Sequence, residues 1–239
     1  MKNPSNWHLE GNRKLLLLIV LILSIAALLS LPSVPSAETP QDQTAYAAAK
    51  VLPVEDLLRE HGVLNRSLLI YEAAIARLNS GGQLPQGTLE QAADIVHTFV
   101  ENYHEKLEED YVFSRYNSGP LKDLSDTLHR QHNAGRKLTT YIQAHAVPKD
   151  QAEHDKLVEY MRQFIRMYRV HAPREATVLF PAFHASLTAA EYEKLGDTFE
   201  SKEHQQFGEH GFENIVGRVE QLEKQLGIYD LSQFTPSAQ

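Results

Sequence analysis

The sequence predicts an all-α protein: an antiparallel up-down four-helix bundle followed by a C-terminal helical extension. Three observations carry this. Apolar residues recur at spacings of three and four over long segments, the period of a helix with one buried stripe. Proline, glycine and capping residues divide the chain into segments of similar length joined mostly by short loops, as in an up-down bundle. No run of alternating β-branched residues between turn signals competes with the helical reading. With 239 residues, 42% of them hydrophobic and 23% charged, the chain is long enough for one full core with an appendage.

The elements follow in order. The first helix opens at Pro53 and runs to about Leu78, where "NSGGQLPQG" stops it, and Leu57, Leu64, Leu68, Tyr71 and Ile75 trace its seam. The second begins at Thr88, where "TLEQ" has the capping-box pattern, and reaches about Phe113. Its seam is Leu89, Ala93, Val96, Val100 and Tyr111. "NSGP" at Asn117 to Pro120 precedes the third, about Lys122 to Ala144, with Leu121, Leu124, Leu128, Leu138 and Ile142 on one face. Asp150 in "DQAE" opens the fourth, which carries Leu157, Met161, Phe164 and Tyr168 and reaches Phe180 before Pro181. "TAAE" at Thr188 caps a fifth segment ending near Gly227, with a break at Gly208 and Gly211. The bundle therefore occupies residues 53–186 and the extension 187–239, after a linker at 38–52.

Residues 1–37 are a separate object. Arg13 and Lys14 precede an apolar run from Leu15 to Leu31, and "PSVPSAETP" follows. A basic flank, an apolar stretch and small residues at Ser36 and Ala37 make a signal peptide. As a helix the run would span about 25 Å, so an uncleaved N-terminal membrane anchor is the alternative. Under either reading the rest of the chain is exported, periplasmic or otherwise extracytoplasmic, or held on the outer face of the cytoplasmic membrane.

Removing residues 1–37 takes away three basic side chains and one acid, leaving 20 Lys+Arg against 30 Asp+Glu. Such an acidic surface argues against a nucleic-acid partner. The chain has no cysteine, which excludes disulfides, thiolate metal sites and a cysteine nucleophile. Any metal must be held by nitrogen and oxygen.

Ionisable residues interrupt every seam. His61 stands between Leu57 and Leu64; His104 and Glu108 lie on the second seam, His132 on the third, and His171 and Glu175 on the fourth. Burying such groups unpaired is expensive, so something must compensate. Residues four apart stack on a helix face, so each His-x-x-x-Glu pair presents a nitrogen and an oxygen to one point. The pattern also repeats: a lone seam histidine, then His-x-x-x-Glu on the next helix, separated by 43 residues in one case and 39 in the other. Two helical hairpins about a pseudo-twofold axis would bring four imidazoles and two carboxylates together. A pair of metal ions bridged by the two carboxylates satisfies them all. A single seam histidine is ordinarily a hydrogen-bonded core residue, and a single His-x-x-x-Glu ordinarily a surface pair. The repeat on all four seams is what argues for ligands. His97 and His129 fall near the seams as neighbours of the site. His145, His154, His184, His204 and His210 belong to the surface or the extension.

The stretches "LLREHGVLNR", "HEKLEED", "LHRQHNAG" and "HAPREATVLFPAF" resemble the hemerythrin family, specifically its HHE cation-binding branch, over roughly Val54 to Ala185. The resemblance implies an antiparallel four-helix bundle with a non-haem di-iron centre, and it adds Glu105, the acid of the "HE" element. Oxygen-carrying hemerythrins use five histidines; here the residue four after His132 is Arg136, and Glu105 takes the missing place. The implied metal set is His61, His104, Glu105, Glu108, His132, His171 and Glu175, holding two Fe ions, with Mn or Zn also acceptable to these ligands. Extra carboxylate favours the ferric state and argues against reversible carriage. With no substrate-pocket signature beyond the metal and no electron-transfer motif, binding or sensing O2 or a related small molecule is the favoured reading. The rival readings are a di-iron oxidase or peroxidase-type enzyme and a metal-storing or structural bundle. Like-charge repulsion and desolvation predict that at least one of the three carboxyls takes up a proton at neutral pH when metal is removed. Pro173, between two ligands, is expected to kink the fourth helix, with Arg174 turned off the seam toward an acidic neighbour.

Overall fold

The computed structural model describes residues 51–237, and among them every regular element is helical. The expected signal or anchor, including Leu15 to Leu31, and nearly all of the linker lie outside the described residues. Among the described residues no helix is long and apolar enough to cross a membrane.

Helix α1, Pro53–Asn79, starts with proline in its first turn, where the missing N–H has no partner to lose. Glu55 and Asp56 at its start and Arg77 at its end complement the helix dipole. Helix α2 is composite: Thr88–Ile95 is α-helical, Val96–His104 π-helical, Glu105–Leu107 α-helical and Glu108–Val112 π-helical, before a 3₁₀ turn at Phe113–Tyr116. The expected capping box at Thr88 does not form. Gly87, in a left-handed conformation with φ 77°, leads the chain in, and the Thr88 hydroxyl donates to the Pro85 carbonyl at 2.7 Å instead.

Helix α3 is Lys122–Ala144. Helix α4 comprises Gln151–Arg174, a π-helical turn Glu175–Leu179, and Phe180–Ala185. Asp150 caps it by accepting from the Glu153 N–H at 2.8 Å. It continues past its expected end at Phe180. The π turn resets the hydrogen-bond register, so Pro181 falls in the first turn of a new α segment, where proline is tolerated. Helix α5, Ala189–Phe207, carries the full capping box of Thr188 and Glu191. Gly208, at φ 84°, ends it before α6, Gly211–Leu226.

Helices α1 and α3 each pack against both α2 and α4. His61 stacks on Phe180, 5.4 Å between ring centres, and further along α1 Tyr71 meets Phe164 at 5.5 Å. Across α3 and α4 the ring pairs are His132–His171 at 4.9 Å and Tyr141–Tyr160 at 4.5 Å. The extension shares this core: α5 and α6 pack on α1, α6 also packs on the start of α2, and Phe199, Ile215, Val219 and Leu222 are buried with the bundle residues. Arg66 of α1 clasps Glu223 of α6 at 2.6 Å, and Arg218 pairs with Asp94 at the same distance.

Candidate metal centre

Both His-x-x-x-Glu pairs sit where a helix changes its winding. The π-helical stretch of α2 ends at His104 and another begins at Glu108; the π turn of α4 begins at Glu175. π-helical turns are rare and are found frequently at functional positions. Here they flank the residues whose side chains point into the bundle.

The six seam residues converge in two halves. In one, His61 Nε2 lies 3.6 Å from Glu108 Oε1 and 3.3 Å from Glu175 Oε2, and His104 Nε2 lies 3.4 Å from Glu108 Oε1. In the other, His171 Nε2 lies 3.0 Å from Glu175 Oε1, and His132 Nε2 lies 3.3 Å from Glu108 Oε2. The two nitrogens of that half are 3.1 Å apart. Each carboxylate thus turns one oxygen to each half. All six residues are buried.

The four oxygens of Glu108 and Glu175, together with His61 Nε2, make no hydrogen bond. Buried carboxylate oxygens without donors are rare and destabilising unless a cation meets them. These donors are all nitrogen and oxygen, in groups whose ligand atoms lie within 4.8 Å of one another, so the residues could hold metal ions. Protons take part of that role in the metal-free chain. Burial alone would lower the His61 pKa, but the adjoining Glu108 and Glu175 carboxylates outweigh it and push it up to about 9. His132 is likewise raised well above its usual value, against burial, by Glu105, Glu108 and Glu109. Against burial, Glu108 is held below the usual carboxylate range by His104, His132 and His61, and Glu175, against burial and Glu108, by His171 and His61.

Around these six residues lies a ring of supports that sequence reasoning missed. His104 Nδ1 is 2.7 Å from Glu60 Oε2, and His171 Nδ1 is 2.9 Å from Gln131 Oε1. The residue just before each lone seam histidine therefore fixes the histidine of the neighbouring helix. Burial, with Glu108 and Glu203 adding repulsion, raises the Glu60 pKa well above its ordinary value. Glu109, next to Glu108, approaches His132 Nδ1 at 3.2 Å. Phe180 stacks on His61 and Phe113 on His132, each phenylalanine the ninth residue after the histidine of its own helix.

Glu105 has a different setting from the one the resemblance implied. Its Oε2 lies 3.9 Å from Nδ1 of His132, on the far side of that ring from Nε2. Tyr168 donates to its Oε1 at 2.6 Å, and Arg136 reaches Oε2 at 2.7 Å. Arg136 also meets Glu109 at 2.7 Å. Burial pushes Glu105 up to about 7, opposed by His132, Tyr168 and Arg136. Glu105, Glu109 and His132 form a third group of suitable ligand atoms, but the guanidinium already supplies its positive charge. Arg136 is thus the counterion of Glu105. His97 is partly exposed and 3.2 Å from Glu101; His129 is exposed, 3.9 Å from Glu109. Arg174 is exposed, and among the described residues it forms no ion pair with an acid, contrary to expectation.

Fold and site together define a helical, cysteine-free cation-binding domain whose donors converge from four helices. A family model for the hemerythrin HHE cation binding domain matches residues 52–183. The chain is 46% identical over 200 residues to an uncharacterized protein of Mycobacterium bovis and to uncharacterized proteins of two Mycobacterium tuberculosis strains, covering 82% of this chain and 78% of theirs. No solved structure matches it. The chain belongs to the hemerythrin HHE cation-binding family.

Proposed function

We propose that the chain holds two iron ions and binds or senses O2 or a related small molecule at them. The observation that carries this reading is the pair of buried carboxylates, Glu108 and Glu175, each dividing its undonated oxygens between two histidine pairs. His61 and His104 would hold one ion, His132 and His171 the other, and the two glutamates would bridge. Glu105 would steady His132 from outside the pair. Bound iron would supply a redox-active Lewis acid for a small ligand. The chain's own residues orient the imidazoles through Glu60, Gln131 and Glu109, and shield the site with Phe113 and Phe180. The reversed residue order of the ring contacts, His61–Phe180 against Tyr71–Phe164, supports an antiparallel up-down course for the four helices. The basic flank before Leu15 supports export, so the centre would work outside the cytoplasm.

Metal analysis of anaerobically prepared protein, with an oxidised-minus-reduced absorption spectrum, tests the reading. Two irons per chain and a spectrum that changes on exposure to O2 are expected. One metal or none, or a spectrally silent ion, would sink it.

A further inference from the structure

Away from the metal cage, and apart from the Tyr116 hydroxyl in the 3₁₀ turn after α2, three buried polar atoms of the bundle have no hydrogen-bond partner among the described residues: the Tyr71 hydroxyl, Glu101 Oε1 and the Thr139 hydroxyl. They come from α1, α2 and α3, and all three residues are almost wholly shielded from solvent. Their surroundings are linked. The Tyr71 ring meets Phe164, Phe164 meets Tyr168 at 4.5 Å, and Tyr168 reaches Glu105. Gly135 leaves room for that phenol, since a Cβ there would lie 2.1 Å from the Tyr168 oxygen. Thr139 is one turn beyond Gly135 on α3, and Arg136, between them, contacts the Glu101 carbonyl at 3.3 Å. The Glu101 charge is felt at Tyr71, Tyr168 and Glu105. Its second oxygen faces His97 Nδ1 at 3.2 Å, and the His97 ring is half exposed. On α2 the residues His97, Glu101, Glu105 and Glu109 follow at four-residue intervals through its π-helical stretch, His97 pairing with Glu101 and Arg136 joining Glu105 to Glu109.

Hydroxyl and carboxylate groups buried in this way are normally satisfied, and internal waters typically make about three hydrogen bonds to such groups. We propose that Tyr71, Glu101 and Thr139 bind a shared internal water. With it, a hydrated stripe runs from the Tyr168–Glu105 pair beside His132 to solvent at His97. It links the flank of the site to bulk water through the bundle interior. The inference does not depend on which metal the cage holds.

Two near-isosteric deletions test it in the full chain, melted at equal metal loading: Tyr71→Phe, Thr139→Val and their combination. Deleting a hydroxyl that lacks any partner is neutral or stabilising. Deleting one that holds water should lower the Tm by about 2–4 °C for a domain of this size. Because the second deletion then acts on a water already loosened, the double variant should lose less than the sum of the singles. Falls in both singles with such coupling support the shared water. A Tm that holds or rises in either single variant, or falls that simply add, overturns it.

Discussion

The α1–α2 half of the cage and the α3–α4 half use the same plan with different neighbours. Each has a lone histidine, a His-x-x-x-Glu pair, a support from the residue before the lone histidine, and a phenylalanine stacked on that histidine. The support is the carboxylate of Glu60 in one half and the amide of Gln131 in the other. The extension adds to the contrast, since α5 and α6 pack on α1, and Glu203 of α5 helps to raise the pKa of Glu60. Repetition of two hairpins sets the donors, while the flanking residues set the field in which each ion would sit. Two matched sets of candidate ligands would thereby be electrically unequal.

The largest effect should come from a change that both halves share. Glu175→Gln keeps the volume of the side chain but removes the charge and the ability to bridge, so purified protein should lose at least one iron per chain. Glu175→Leu should lose metal too yet still fold, because well-packed apolar replacements of buried ionic groups are often neutral or stabilising. Glu105→Gln should keep most of its metal, since Tyr168 and Arg136 can still hold an amide beside His132. Metal content equal to wild type in Glu175→Gln would remove the bridge from the comparison, whatever the fold.

Protons test the same contrast. In metal-free protein His61, pushed up to about 9 from 6.5, stabilises the fold fully below pH 6.5, and that contribution is lost as pH rises through 9. Its size is on the order of 3 kcal/mol. Asp56, pushed up to about 8 by burial and by Glu60 and Glu203, works in the same sense, because the fold must give up a proton it prefers to keep. Metal-free protein should therefore melt at lower temperature at pH 9 than at pH 6.5. Ligation removes the His61 proton, so the gap between iron-loaded and chelated melting temperatures should widen over that range. A constant gap would mean that no proton stands in for the ion.

Much of this was legible because a helix period makes an intruder conspicuous. His61, His104, Glu108, His132, His171 and Glu175 each stand where an apolar seam calls for leucine, and all six converge. The supports were not legible for a geometric reason. Glu60 and Gln131 act on the neighbouring helix, and a pattern along one chain segment does not report contacts across helices. The π turns were hidden as well, since they change the backbone register without a composition signal. Pro181 was read as a stop for lack of that register shift. Arg136 was read as an absent ligand, whereas it balances Glu105 and Glu109. The expectation that a carboxyl takes up a proton in metal-free protein fits Glu105 alone. At Glu108 and Glu175, both held low, the raised His61 beside them carries the positive charge instead.

The smallest predicted effect tests the asymmetry itself. Partners that accept a hydrogen bond from the outer nitrogen of a ligating imidazole commonly change metal affinity about ten-fold or more, and a carboxylate makes the ring more basic than an amide does. Glu60→Gln should make the α1–α2 half resemble its counterpart, and Gln131→Glu should do the reverse. With wild-type protein, titration with a competing chelator should resolve two affinities. Glu60→Gln should draw them together by about ten-fold, the lower end of such effects, because an amide oxygen still accepts from His104 Nδ1. The same variant removes a buried acid that Asp56, Glu108 and Glu203 repel, so chelated Glu60→Gln should melt higher than chelated wild type while binding its metal more weakly. Opposite movement of the two measurements separates a support acting on the metal from a residue that merely packs. If affinity and melting temperature fall together, Glu60 is structural and the two halves differ only in name. If the double exchange, Glu60→Gln with Gln131→Glu, reverses which half gives up its ion first, the unequal supports set the unequal sites.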